Sequence, residues 1–528
     1  MPRPHLGGEA SRWSKSRIVI KGYAHAVRLS RYLPFAVSEL LRADLSLLTQ
    51  PTDYDSSWAA YLVEENGSPS YPDVLPTLLE RQHPDGGWGS RVSHSHDRLL
   101  TTLAVVLLLA RFGNQRRDKE RQAVGEHYIW RVARELDHDG QATVGFELLL
   151  PALLERGKRM GLNLPYAHLR RYETARAKKL NLLPSERIFQ STTTALFSLE
   201  AFMDDIDLND ATSLLQQDGS MASSPSATAA LLGQAADWRV RFPCSTGYLE
   251  DLLGRFDGGL PAMAPCGIFA RAWVLHYLQH GRLLSGYESL LRPHYRYLRE
   301  HLAAGGVGFS PHVFPDADDT AVTLFVLHNA GYDVDGSCLL QYERDDHFAV
   351  YPGELDPSIS ANLHILEALE TLPAVMRQRT REKVIGYVLG ARQPGGYWED
   401  KWHASVYYPT SQAVMALLPH APGRMEVTLD WLLSTQHTDG SWGQYGPTVE
   451  ETALSLLALL SYYRANRCVA QERLRLAARY LIANEIPFND DYPELWIAKA
   501  LYAPTFVIRS IVLAALGLYL DTFGDKGL

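Results

Sequence analysis

An all-α fold of two helical α/α-barrel domains is what this sequence predicts, and three observations carry that prediction. Apolar residues recur at helical spacing almost throughout, as in Val37, Leu40, Leu41, Leu45 and again in Leu454, Leu456, Leu457, Leu459, Leu460. Strand-like alternation is short and rare, and Gly or Pro punctuates helix-length blocks. Three segments repeat one pattern of Gln, a short glycine-bearing spacer and Trp: Gln82 to Trp88, Gln393 to Trp398 and Gln436 to Trp442. Each follows a helical block, with Leu75, Leu78 and Leu79 before the first and Trp431, Leu432 and Leu433 before the last. The Gln closes a helix end, the Gly permits a tight reversal, and the Trp stacks under the next unit. Three such turns at helix ends imply repeats that brace one another in concentric layers.

With 528 residues the chain exceeds one ordinary core. Residues 1–44 read as an N-terminal segment that returns to pack on the second domain. Residues 45–290 read as the first barrel and 291–528 as the second. The boundary is placed near Leu283 to Leu302, where Gly286, Pro293 and several tyrosines precede an acidic stretch. The first thirty-one residues hold seven Lys or Arg against the single acid Glu9, which reads as a solvated helix face without a signal-peptide pattern.

Hydrophobic residues at 46% and charged residues at 21% suit a soluble globular protein. A net charge of −9 argues against a nucleic-acid partner. Cys244, Cys266, Cys338 and Cys468 are scattered and show no CxxC spacing, which fits reduced thiols and a cytoplasmic location. No unbroken apolar run reaches the length of a membrane span, and Leu103–Ala110 and Ile511–Leu520 read as buried helices.

The acidic stretch is Phe314-Pro315-Asp316-Ala317-Asp318-Asp319-Thr320-Ala321, directly before the apolar run that ends at Leu327. One reading is a helix start, where acids meet the positive end of the dipole. The other rests on crowding. Carboxylates a few ångströms apart in an apolar pocket cannot all ionise, and a neutral carboxylic acid facing a dry cavity can protonate an alkene.

With the Gln/Trp repeats, this stretch resembles class II terpene cyclases, the family of squalene-hopene cyclases and copalyl-type diphosphate synthases. The resemblance covers most of the chain. It extends to Asp53-Tyr54-Asp55-Ser56-Ser57-Trp58, Asp97 to Leu103, Val144 to Glu147, Asp400 to Ser405, Glu450 to Ala453 and Leu495 to Tyr502. It implies β- and γ-type barrel domains with the active site between them, and proton-initiated cyclisation of geranylgeranyl diphosphate to a bicyclic, labdane-related or rearranged, diphosphate. Farnesyl diphosphate and, further off, a squalene-type substrate are the alternatives. A downstream class I terpene synthase or phosphatase would be the pathway partner.

The resemblance also implies roles. Asp318 donates the proton, Asp316 and Asp319 orient it, and Asn362 lies against it. Lys179, Lys401 and Lys499 hold the diphosphate. Glu147, Asp137 and Asp139 form a loose acidic cluster for Mg²⁺. Trp273, Trp402, Tyr407, Tyr408, Tyr445 and Trp496 are aromatic candidates for stabilising a cation.

Two departures matter. Plant ent-copalyl synthases have a His where Phe197 stands and an Asn that falls at Ala262, so the water that ends their reaction lacks both supports here. The segments Met203 to Asp207 and Asn209 to Gln217 resemble class I metal motifs, but Leu208 and Gln217 replace acids that those motifs need.

Overall fold

The computed structural model describes residues 29–528 apart from 47–49, 137–139, 183–192, 204–210, 355, 467–468, 487, 490 and 526–527. Helices dominate the described residues, joined by tight turns. Two pairs of two-residue antiparallel strands accompany them, Pro51–Thr52 with Leu260–Pro261 and Trp496–Ile497 with Leu501–Tyr502. The basic segment before Leu29 lies outside the described residues, as do Asp137, Asp139 and residues 204–210 of the class I-like stretch.

Two hydrophobic cores organise the chain. The first gathers Tyr54 to Leu260, joined by Ala264 and Ala500. The second gathers Leu29–Leu45 and then Ala262 to Tyr519. The division therefore falls near residue 262 rather than 290. The Gly267–His280 helix is apolar nearly all round, so it has to be enclosed, and it packs against Ala317–Asn329 and Thr505–Phe523 in the second core. The Leu29–Arg42 helix lies across Thr505–Phe523 in that same core. The Thr505–Phe523 helix is long and apolar enough to span a membrane, yet it sits inside this core.

The three Gln/Trp turns share one hydrogen-bond scheme. Each Trp indole N–H donates to a carbonyl ten residues back: Trp88 to Leu78 (2.7 Å), Trp398 to Val388 (2.6 Å) and Trp442 to Leu432 (2.8 Å). Each Trp amide donates to a threonine of the following helix, Thr102, Thr410 or Thr452. Gln436 Nε2 reaches both Gly440 O and Arg473 O, and Gln82 Nε2 reaches Gly86 O and Arg121 O, so the Gln ties the turn to the next repeat. Gly440 has φ +93°, and a Cβ there would fall 2.4 Å from the Leu476 backbone, so only glycine fits.

The scheme also runs through turns that carry no Trp. The amides of Met221 and Val307 donate to Thr228 and Thr320, each four residues past its helix cap. These two turns touch across the halves, with Ser223 Oγ donating to Ser310 Oγ at 3.0 Å.

Candidate active site

Asp316 caps the Ala317–Asn329 helix. Its side chain accepts the Asp319 amide at 2.7 Å, while its own amide donates to Val307 O. Asp316, Asp318 and Asp319 are all buried, and all three line one cavity. Burial, and then the charge of Asp318, push the Asp316 carboxyl up to about 7. Burial and the charges of Asp316 and Asp318 push Asp319 well above the carboxylate range.

His364, which the sequence reading missed, is the partner of the central acid. Its Nδ1 lies 2.6 Å from Asp318 Oδ1, and the ring is fully enclosed. Burial alone would lower its pKa, but the charge of Asp318 and the hydrogen bond outweigh that and raise it. Asn362, expected against the acid, is elsewhere. Its amide Oδ1 accepts from Phe348 N, and its Nδ2 donates to Phe348 O and Ser358 O. It stands four residues past the Ser358 cap, where other turns place a threonine, and it does their structural work. The helix explains the swap. Residues 362 and 364 point to opposite faces, whereas Ser360, His364 and Glu367 share one. Ser360 is held by Asp400, whose carboxylate also receives Ser358 Oγ and Ile359 N.

Aromatic rings form much of the cavity wall. Trp273, Trp402, Tyr408 and Trp496 line it as expected, joined by Phe197, Phe269, Phe309, Phe314, Tyr351 and Tyr502. Phe269 sits 4.5 Å from Trp273 and 5.6 Å from Trp496, and Tyr408 is 5.0 Å from Trp496. Tyr407 and Tyr445 do not line the cavity. Tyr407 packs on Trp431, and Tyr445 is partly exposed. Ala262 is buried behind the wall, and its neighbour Met263 lines it.

The three lysines differ. Lys179 pairs with Glu147 at 2.9 Å, three residues beyond cavity-lining Val144, and both remain partly exposed. Lys401 does not line the cavity, being bound to Glu354 and to Asp356 O. Lys499 is fully buried and paired with Glu200 at 2.7 Å, with Ser224 and Ser226 also at its ammonium. It is a cross-brace between the halves and has no face left for an anion. Magnesium beside a phosphate is usually held by one or two carboxylates, with phosphate oxygens and waters completing the shell. Glu147, partly exposed beside Lys179, fits that donor type.

Residues 330–458 match the family described as squalene-hopene cyclase C-terminal domain. The chain is similar to a type B diterpene cyclase of Mycobacterium tuberculosis, 32% identical over 91% of this chain and 97% of that one. It is also similar to an ent-copalyl diphosphate synthase of a Streptomyces species, 30% identical over 91% and 94%. Among solved structures, ent-copalyl diphosphate synthase from Streptomyces platensis matches with TM-score 0.76 and 27% identity, over 92% of this chain and 99% of that one.

Proposed function

The chain belongs to the class II terpene cyclases, enzymes that cyclise diterpene precursors, and from that premise we propose that it converts geranylgeranyl diphosphate into a bicyclic diphosphate by protonating the terminal alkene. One observation carries the reading: Asp318, flanked by two carboxyls driven towards their neutral forms and held by His364, faces a cavity walled by aromatic rings.

His364 donates to Asp318 Oδ1, which leaves the other oxygen to carry the acidic proton. In the first step that O–H bond breaks as a C–H bond forms on the alkene, and the Asp318 carboxylate that remains is stabilised by the hydrogen bond from His364 Nδ1. Asp316 and Asp319, pushed towards their neutral forms by burial, add less charge that would quench the cation early. The rings of Trp273, Tyr408 and Trp496 present their negative faces to the cation as it passes inward. The diphosphate stays at the Lys179–Glu147 end, away from the acid. Mg²⁺ held there by Glu147 would offset phosphate charge. Retention of the diphosphate is supported by relatives named as diphosphate synthases. A downstream class I synthase or phosphatase would consume the product.

The test is incubation with geranylgeranyl diphosphate and Mg²⁺. A bicyclic alcohol should be extractable only after phosphatase treatment. Direct release of inorganic diphosphate with a hydrocarbon would overturn the reading.

A further inference from the structure

The acid gives up one proton per turnover and lies against a dry wall, so it has to be recharged from behind. Behind it stands a cluster of titratable groups that the cyclisation itself does not use. Glu367, on the same helix face as His364, takes His276 Nε2 at 2.8 Å on one oxygen and His280 Nε2 at 3.0 Å on the other. A ring nitrogen of His276, one of His364 and an oxygen of Glu367 all lie within 4.8 Å of one another. His364 Nε2 and His276 Nδ1 are buried with no hydrogen-bond partner among the described residues. Groups within that reach of one another, with His364 Nε2 unpartnered, can share one bridging water. At the far end His280, 21% exposed, lines a second, more open cavity together with Gln279, Arg282 and Glu288.

We propose that His280, Glu367 and His276 form a proton relay that recharges the Asp318–His364 pair from the water of this second cavity. It rests on the reading above that Asp318 is the donor. For each proton that leaves Asp318, an O–H bond of hydronium breaks at His280, and the proton passes along the Glu367 carboxylate, which His276 holds, and the bridging water. An N–H bond forms at His364 Nε2, and the His364 Nδ1 proton passes to Asp318 to re-form its O–H bond. The pair regains one proton, and the solvent recovers one when the cation is finally quenched. Charge along the path suits transfer. The two histidines hold Glu367 well below its usual range despite burial, and burial keeps His276 neutral, pushed down to about 4. The pull toward the site is at His364, where the shift is upward.

Rapid-quench kinetics with geranylgeranyl diphosphate separate this role from a structural one. Glu367→Gln and His280→Ala should complete the first turnover at close to the wild-type rate and then slow at least about tenfold, giving a burst of one product per site. Added imidazole should restore later turnovers of His280→Ala, because the vacancy opens on the second cavity. His280 is at that cavity's edge, so its variant carries the test if Glu367→Gln does not fold. First and later turnovers slowing together, or neither slowing, would overturn the relay. A wild-type enzyme that makes no cyclised product would overturn the functional reading instead.

Discussion

The helices Asp53–Ala60 and Ala317–Asn329 begin alike in the two halves of the molecule. Thr52 and Asp316 each cap their helix by accepting the amide three residues on, from Asp55 and Asp319. Ser56 and Thr320, four past the cap, each accept a backbone amide from a neighbouring turn. Burial raises the carboxyl of Asp55 to about 6 and that of Asp316 to about 7. What differs is the space in front. Before Asp55 stand Ser226, hydrogen-bonded to it, and the Lys499–Glu200 pair. Before Asp318 there is a cavity, with His364 at its back. Crowded acids at a helix start are therefore a common element of this fold, and they become a proton donor only where a cavity is left open in front of them.

The largest effect should come from Asp318→Asn. The amide keeps the shape but has no acidic proton, so turnover should fall by about 10⁴-fold or more, roughly 5.5 kcal/mol of barrier, with the melting profile retained. Activity within tenfold of wild type would show that the open half holds its donor elsewhere. Breaking the filled half should act on stability instead. Lys499→Met strands the Glu200 charge in a dry core, a loss of about 3–5 kcal/mol that should appear as a lowered denaturant midpoint. Pairing it with Glu200→Gln should recover most of the loss.

The contrast sharpens within one helix. His364→Asn should cut turnover about 100-fold, since the acid loses its partner, whereas Asn362→Thr should stay within about tenfold and cost about 1 kcal/mol of stability. Equal effects at both positions would erase the distinction between site and scaffold drawn here. The smallest expected signal is a slope. Asp316 binds its proton more tightly folded than unfolded, so its contribution is full below the ordinary value near 3.8 and is lost as pH rises to about 7. Asp316→Asn should flatten the stability profile over that window when compared with wild type in thermal melts.

Periodicity and the Gln/Trp turns made the helical repeats legible, because a fully buried Trp and a positive-φ Gly have few substitutes. The acids were legible for the same reason: three carboxyls before an apolar run are conspicuous. His364 was not, since one histidine in an apolar helix carries no mark of what it faces. Lys499 misled because a lysine's charge is visible in sequence while its partner, Glu200, lies 299 residues away. The first boundary estimate failed at Gly267–His280 because local spacing says that a helix is enclosed, but not by which core.

The strand pair formed by Trp496–Ile497 and Leu501–Tyr502 serves both halves at once. Its flanks Trp496, Ile497, Ala498 and Tyr502 shape the cavity, while Lys499 and Ala500 at its tip are embedded in the first core, and Leu501 N is tied to Asp97. A substitution that re-aims those rings also disturbs the brace, so this wall has little freedom to drift under selection. Met263 and Phe309 also line the cavity but lie outside the hairpin, whereas the Phe197 ring sits 4.8 Å from the Lys499 ammonium and so shares in the brace. Variants that fold a substrate differently should accumulate at Met263 and Phe309 first, and a library confined to those two positions should return more folded enzymes with altered products than one of equal size on the hairpin.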